Sequence, residues 1–338
     1  MRGWLAVLGS LALGTAATAH APAAAPLAVY GNIQTIEIAP VLLAVDALYD
    51  GRAVVHPGGI PNLVGEPAAG AVPAQRSPIP LLIDMESLVP ADLATNAETQ
   101  LLRQSVKHPE LRIILGVSEG LYRIAARRSA GITRVADLAH RPVATIPLTS
   151  SAYFLHRMLA REGLGFGDIV PMPMTPLSRM TEALRNREVD AVVIWEPESE
   201  RSAQMLGDDL IEFRGEGVYR ELFNLNTTAE KLVDPASRAR IVAFVRAVID
   251  AGARIKRDPT GAKILVTAAG GFDPGDVEAS WAHHRFEPGM PADLLDVMAE
   301  EELWLALQDK RRPRTRADLA KLIDTSVYRE ALALRSRR

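Results

Sequence analysis

The chain has 338 residues, 48% of them hydrophobic, which is enough to bury one large or two medium cores. Its formal net charge of −3 gives no support for nucleic-acid binding. With no cysteine, disulfides, thiolate metal sites, thiol nucleophiles and a lipid-anchored cysteine are all excluded.

Arg2, an apolar stretch from Trp4 to Ala17 and the small residues Ala17-Thr18-Ala19 before His20 predict a cleavable secretory leader over residues 1–19, and with it an exported protein. A membrane anchor would need ~20 apolar residues. Gly9, Ser10, Gly14 and Thr15 dilute this shorter run.

Leu27 to Tyr30 reads as a strand, followed by the polar turn Gly31 to Thr35 and an apolar helix from Ile36 to Tyr49. From Val55 to Pro90 the chain is rich in Pro, Gly and Ala, with Gly65 to Pro80 expected as a solvated loop. The strand, loop, helix grammar returns at Ala91–Thr95 with Glu98–Lys107, at Pro142–Ile146 with Ser151–Glu162, and at Asp190–Trp195 with Glu198–Leu206. Ile169–Met174 adds a strand and Leu177–Arg187 a helix. Such alternation predicts an α/β fold with parallel strands and crossover helices. After Asp234 the pattern turns helical, with helices over Ser237–Lys256, Ala292–Gln308 and Arg316–Leu334. The basic turn Lys310 to Arg314 and the Arg335 to Arg338 tail read as solvated ends.

Four strand-to-helix junctions carry polar side chains: Gln34 and Thr35; Asn96, Glu98 and Thr99; Thr149, Ser150 and Ser151, with Tyr153 one turn on; and Trp195 and Glu196 before Pro197. Helix starts offer unpaired N–H groups, and open α/β sheets bind ligands beyond the carboxyl ends of their strands, so converging junctions make a polar cleft. Ser, Thr and Asn are also ordinary helix caps, and a single junction would mean no more than that. Glu37, Glu98 and Glu196 lie close to these junctions and would repel a simple anion, which favours an amine-bearing, hydroxylated or zwitterionic solute over nitrate.

Gly116-Val117-Ser118-Glu119-Gly120 matches the G-x-S-x-G nucleophile elbow, with Asp190 and His283 or His284 later in the order a hydrolase requires. An elbow needs a helix directly after the serine, whereas Leu121 to Ala126 reads at least as well as a strand. His283 and His284 are adjacent, unlike a metal-binding pair one helical turn apart, so a packing or surface role is expected and no metal.

Several segments together resemble the substrate-binding proteins of ABC importers, in the nitrate, sulfonate and taurine branch. They are Ala91-Asp92-Leu93-Ala94-Thr95-Asn96-Ala97-Glu98-Thr99, Ile132 to Leu138 before Arg141-Pro142-Val143-Ala144, the Thr149-Ser150-Ser151 junction, and Glu188-Val189-Asp190-Ala191 running into Trp195-Glu196-Pro197. The resemblance covers about Leu27 to Gly252. It implies a type II periplasmic-binding-protein fold of two lobes, each a mainly parallel sheet flanked by helices, with two hinge crossovers and a helical C-terminal part. On that plan residues 27–115 begin the first lobe, 116–214 form the second, and 215–338 return to the first. The first crossing falls near Gly116 to Tyr122, with Ser118 and Glu119 as hinge residues, and the second near Phe213 to Asn226, with Asn226 as hinge.

The function so implied is a monomeric receptor that captures a small polar organic ligand, bearing a sulfonate, carboxylate or amine, and delivers it to an inner-membrane permease. It needs neither catalytic residue nor cofactor. Gln34, Thr35, Asn96, Glu98, Thr149, Ser150, Ser151, Tyr153, Trp195 and Glu196 would line the cleft. The long insertion between Val55 and Pro90 departs from the family, and contacts from it do not carry over. A related branch handles pyrimidines, some members as suicide enzymes with a Cys-rich motif; a chain with no cysteine argues against that chemistry. Two other functions compete: a secreted serine hydrolase using Ser118, and a ligand-free interaction protein whose cleft is filled by its own side chains.

Overall fold

The computed structural model describes residues 25–66, 82–84 and 89–334. The predicted leader, most of the Gly/Pro-rich insertion and the basic tail lie outside the described residues.

Eleven described strands run in chain order as β1 (Leu27–Gly31), β2 (Ala53–Pro57), β3 (Leu93–Ala97), β4 (Leu111–Gly120), β5 (Arg123–Arg127), β6 (Pro142–Ala144), β7 (Val170–Met172), β8 (Ala191–Val193), β9 (Leu210–Arg214), β10 (Glu221–Thr228) and β11 (His284–Arg285). They form a six-stranded sheet, β11-β4-β10-β3-β1-β2, and a five-stranded sheet, β7-β6-β8-β5-β9. Each sheet with its flanking helices is one lobe of an α/β fold.

Both sheets are mixed. The strands that belong to strand, loop, helix units pair in parallel: β1 with β2 and β3, and β6 with β7 and β8. The strands at either side of a crossing between sheets are antiparallel to their neighbours: β4 and β10 pair with each other, and β5 pairs with β8 and β9. A strand delivered by a crossover helix must return in the same direction, whereas one that enters from the other lobe is under no such constraint.

The chain passes from one sheet to the other between β4 and β5 through Leu121 and Tyr122, and returns between β9 and β10 through residues 215–220. Ser118 and Glu119 lie within β4 and Asn226 within β10, so none of these predicted hinge residues sits in the connecting segments themselves. Each crossing carries a glycine where the backbone is closely approached. A Cβ on Gly120 would stand 2.9 Å from Glu221 Oε2, and one on Gly215 would stand 2.6 Å from Phe154 Cε2 and 3.1 Å from the Tyr122 carbonyl.

Two predicted helices are broken. The Ile36–Tyr49 segment is helical only from Ala39, because Pro40 fits the first turn and not a helix interior, and it loosens to a π-turn over Ala44–Leu48. The Arg316–Leu334 segment splits into Arg316–Ala320 and Thr325–Ala333. Between them Ile113 N–H donates to the Leu322 carbonyl at 2.7 Å and Asp324 N–H to the Ile113 carbonyl at 2.9 Å, and the Asp324 carboxylate then caps the second piece. Strand pairing to β4 therefore outcompetes helix continuation.

The helix Pro235–Arg257 buries Ile241, Phe244, Val245, Val248 and Ala251 against the first sheet, the apolar stripe that the sequence shows. Burying a side chain such as Phe244, fully shielded, stabilises by roughly 1.5–3 kcal/mol. Two further helices, Thr260–Gly270 and Pro274–Ser280, add to this lobe and went unread in the sequence. The helix Leu294–Gln308 also contacts the second lobe, where the Trp304 ring lies 5.4 Å from that of Tyr153. No described helix is long and apolar enough to cross a membrane.

Candidate cleft between the lobes

The second lobe contributes the tip of β8. The strand stops at Val193, and Ile194, Trp195, Glu196 and Pro197 then lead into the helix Glu198–Leu206. This leaves the indole and the carboxylate beyond the carboxyl end of a buried strand. From the first lobe come Glu37, in the turn before the helix that begins at Ala39, and His284, at the start of β11. A cavity of about 10 Å³ is enclosed by Glu37, Gly120, Leu121, Tyr122, Ile194, Trp195, Glu196 and His284. A second cavity of about 130 Å³ is lined by Gln34, Pro176, Leu177, Trp195, Pro197, Arg201, Phe272 and others. Trp195 thus lines both.

The charges around the inner cavity are paired in a fixed pattern. Glu37 Oε1 lies 3.4 Å from His284 Nε2, and the other ring nitrogen donates to the Ser280 carbonyl at 3.1 Å. Burial opposes ionisation of both groups, but their mutual attraction outweighs it, so Glu37 is held below the usual carboxylate range and His284 above the usual imidazole range. Glu196 accepts from Arg123 Nε at 3.1 Å, from the Ser280 hydroxyl at 3.2 Å and from Glu200 N–H at 2.9 Å. Burial nonetheless pushes it up, with Arg123 and His284 opposing. Arg123 also meets Glu200 and Glu212, and desolvation is outweighed by these carboxylates, which raise it further. His283 is pushed down to about 4 by burial and by Arg123, and so is neutral.

Two polar atoms of the lining have no partner. Glu37 Oε1 stands on the Gly120 side, beside Glu221 Oε2. Its neighbour Glu37 Oε2 is buried without a hydrogen bond, and so is Trp195 Nε1. Leaving such a group unsatisfied costs about 1–3 kcal/mol, more for a charged one, which makes each a notable feature.

Behind the crossings lies a second set of buried carboxyls. Glu221 accepts from Ser150 Oγ at 3.1 Å and from the Tyr122 hydroxyl at 3.3 Å. Glu98 accepts from the Tyr219 hydroxyl at 2.7 Å and from Leu222 N–H at 3.0 Å. Burial pushes Glu98 up to about 7, and burial with neighbouring carboxylates pushes Glu221 and Glu301 well up.

The predicted site residues divide accordingly. Gln34, Trp195 and Glu196 line the two cavities. Ser150 and Glu98 belong to the carboxyl set behind the crossings. Thr35 donates to the Asn32 carbonyl at 3.1 Å, Asn96 accepts from Ala97 N–H at 3.0 Å, and Thr149 donates to the Ile146 carbonyl at 2.7 Å, while Ser151 sits 2.8 Å from Thr149 Oγ1; these are local turn and helix-start bonds. Tyr153 contacts Arg157, Tyr219 and Trp304 and lines neither of these two cavities, but a third of about 310 Å³ beside Leu121 and Arg220. Asn226 donates to the Ala94 carbonyl at 3.1 Å and ties β10 to β3. Tyr122, Arg123 and Glu221 were missed, since nothing in a strand pattern marks which residue will stand at a crossing. Glu37 carried a signal, being a carboxylate next to a junction.

The nucleophile elbow is absent. Ser118 lies inside β4, only 4% exposed, with its hydroxyl donating to the Glu37 carbonyl at 2.9 Å, and a second strand follows it instead of a helix. Asp190 pairs with Arg141, and His284 with Glu37, so neither completes a triad with Ser118.

The family described as NMT1/THI5 like matches residues 86–262, more than half of the chain. The chain belongs to the NMT1/THI5-like family. The match spans the second lobe, both crossings and the strand tip that carries Trp195 and Glu196, so the part of the cleft built on the second lobe lies within it. No curated protein matches this NMT1/THI5-like sequence.

Among solved structures, the chain is similar to the alkanesulfonate-binding protein SsuA of Xanthomonas axonopodis pv. citri bound to MOPS, with a TM-score of 0.64 and 17% identity over 90% of this chain and 100% of that one. It is similar to the periplasmic nitrate-binding protein NrtA of Synechocystis PCC 6803, with a TM-score of 0.65 and 13% identity over 91% of this chain and 88% of that one. The desulfurization enzyme DszB also matches, at a TM-score of 0.57 and 15% identity over 91% of this chain and 99% of that one. At such identities the likeness establishes the two-lobed fold that the resemblance implied, and a fold hosts more than one function.

Proposed function

We propose that this NMT1/THI5-like chain is a periplasmic solute receptor of an ABC importer, holding a small polar organic ligand between its lobes and passing it to an inner-membrane permease. The observation that carries this reading is the pair of buried, unpartnered polar atoms, Glu37 Oε2 and Trp195 Nε1, on two residues that line one cavity from opposite lobes. A cleft evolved only to close on itself would be expected to satisfy both, because each costs stability as it stands. The names of similar structures, a sulfonate-binding and a nitrate-binding periplasmic protein, support the same class. So does the leader pattern over residues 1–19.

On this reading residues 27–115 and 215–338 form one lobe and 116–214 the other, and the molecule acts as a monomer without enzymatic chemistry. Ligand entry turns the lobes apart about Leu121–Tyr122 and residues 215–220. Gln34, Trp195 and Glu196 keep their expected contact role, joined by Glu37 and His284.

One observation favours a second reading. The inner cavity, at about 10 Å³, has room for about one water molecule, which is what a self-filled cleft in a ligand-free interaction protein would have. Thermal-shift screening of purified, refolded protein against sulfonates, aromatic carboxylates, amines and pyrimidines separates the two. A receptor gains about 2.7 kcal/mol of stability at a hundredfold excess over Kd, seen as a raised melting temperature. A melting temperature indifferent to every compound, with unchanged Trp195 fluorescence, would favour the interaction protein.

A further inference from the structure

The charge pattern of the cleft deepens the receptor reading, on which this inference rests, to a class of ligand. We propose that the cleft selects a compact organic cation with an adjacent hydroxyl or carbonyl: its N–H-bearing head pairs with Glu37 Oε2, its acceptor takes the Trp195 indole N–H, and its apolar body lies in the outer cavity.

The first ground is the pair of unsatisfied atoms. Glu37 is 2% exposed and its Oε2 is an acceptor without a donor, while Trp195 Nε1 is a donor without an acceptor. A ligand that answers both must itself donate and accept. An inorganic anion such as nitrate has only acceptors, and could serve Trp195 while facing the Glu37 carboxylate.

The second ground is the engagement of the cations near the two cavities. Arg123 meets three carboxylates, Glu196, Glu200 and Glu212. Arg201, at the outer cavity, holds Asp276 at 2.6 Å and Glu198 at 3.5 Å. His284 is matched to Glu37. An incoming anion would have to take one of these cations from a carboxylate already placed, whereas a cation meets an excess of negative charge in a site shielded from water.

The third ground is shape. The inner cavity admits no more than a small group, and the larger outer one pairs an apolar wall of Trp195, Leu177 and Phe272 with the polar side chains of Gln34, Glu198 and Arg201. A small polar head with a ring or short apolar body fits that division, with the Trp195 indole, common to both linings, as the platform.

The test uses a matched pair on the leaderless full chain: 2-amino-1-phenylethanol, which carries ring, hydroxyl and ammonium, and 2-hydroxy-2-phenylethanesulfonate, which replaces the ammonium by a sulfonate. Isothermal titration should give at least tenfold tighter binding of the amine. Glu37→Gln should weaken the amine at least tenfold, and Trp195→Phe, which keeps a ring and loses the N–H, should weaken it severalfold. Circular dichroism reports whether each variant folds, and should Glu37→Gln fail to fold, Trp195→Phe carries the test alone. Tighter binding of the sulfonate, or of nitrate, overturns the inference while leaving a receptor. Amine binding that ignores both substitutions overturns it as well, as does failure of both compounds to bind. Native mass spectrometry of protein released from its own periplasm then judges the receptor reading separately: a co-purified anionic or neutral solute retains it, and no solute together with an unresponsive thermal screen removes it.

Discussion

Glu98 and Glu301 are neighbouring carboxyls inside the first lobe, and neither exposes any surface. Two buried carboxyls in contact cannot both ionise cheaply, so the pair keeps a proton that the unfolded chain would release. Glu221, buried beside Glu37, adds a third raised carboxyl at the foot of the second crossing.

The consequence is a stability that falls with rising pH. Glu98 moves from 4.5 to about 7 on folding, so between those values this carboxyl holds more proton in the folded chain than in the unfolded one and contributes a negative slope, which the raised Glu221 and Glu301 reinforce and His283, lowered to about 4, opposes. For Glu98 alone the loss is on the order of 3 kcal/mol. His284 acts in the same sense: its raised value contributes stability that is complete below 6.5 and is lost as pH rises through the folded value. Urea midpoints should therefore be lower at pH 8 than at pH 5.5. Glu301→Gln keeps a donor for Glu98 without an ionisable proton, and should flatten the profile; a midpoint that rises over this range would contradict the argument.

Arg123 is the buried counterion of Glu196, Glu200 and Glu212. Arg123→Met keeps much of the volume and leaves those carboxylates without their common cation. We expect a loss of about 3–5 kcal/mol at pH 7. Adding Glu200→Gln and Glu212→Gln to Arg123→Met should recover part of it, and denaturant titration of the single and triple variants checks both statements. A loss under about 1 kcal/mol for the single variant would mean that the network is solvated in solution.

Gly215 is the backbone counterpart of that network at the second crossing. Its hypothetical Cβ meets the Phe154 ring at 2.6 Å and a main-chain carbonyl at 3.1 Å, and the carbonyl cannot turn aside as a side chain could. Gly215→Ala should destabilise by about 1–3 kcal/mol through overpacking. Gly163→Ala is a poor control because Gly163 has φ +73, whereas Gly167 has open space around it and should tolerate Ala with little change. Equal melting temperatures for the Gly215 and Gly167 variants would refute the close approach.

The strand, loop, helix units were legible because each rests on local grammar: an unbroken apolar run such as Ala191 to Trp195, then turn residues, then an apolar stripe at helical spacing. The helix Glu198–Leu206 has the bounds its sequence predicts, and the tip holding Trp195 and Glu196 follows from the strand ending beside them. What could not be read was pairing across the chain. Glu37 with His284, and Arg123 with Glu212, join residues far apart in sequence, and no local periodicity encodes which will meet. The Thr149-Ser150-Ser151 junction shows the same divide in three residues. All three were equally good cleft candidates by composition, yet Ser150 reaches Glu221 across the crossing while Thr149 and Ser151 bond within their own turn. The break at Ile323 likewise depends on Ile113, two hundred residues away by chain and adjacent in the sheet.

Tyr153 gives the sharpest test of that divide, because composition places it one turn into the helix Ser150–Arg161 as a ligand contact, whereas its ring packs on Tyr219 and Trp304 and its hydroxyl accepts from Arg157 at 3.0 Å. Tyr153→Phe should leave ligand affinity unchanged and cost only the Arg157 bond, about 1–2 kcal/mol. Tyr153→Ala should cost about 3–5 kcal/mol, since a ring 2% exposed leaves a cavity between the second lobe and the helix Leu294–Gln308. Calorimetric melting measures the two losses, and titration with whichever solute the thermal screen identifies measures affinity. A tenfold fall in affinity for the Phe variant with no fall in melting temperature would return Tyr153 to the ligand site, because only a hydroxyl that touches the solute could produce that combination.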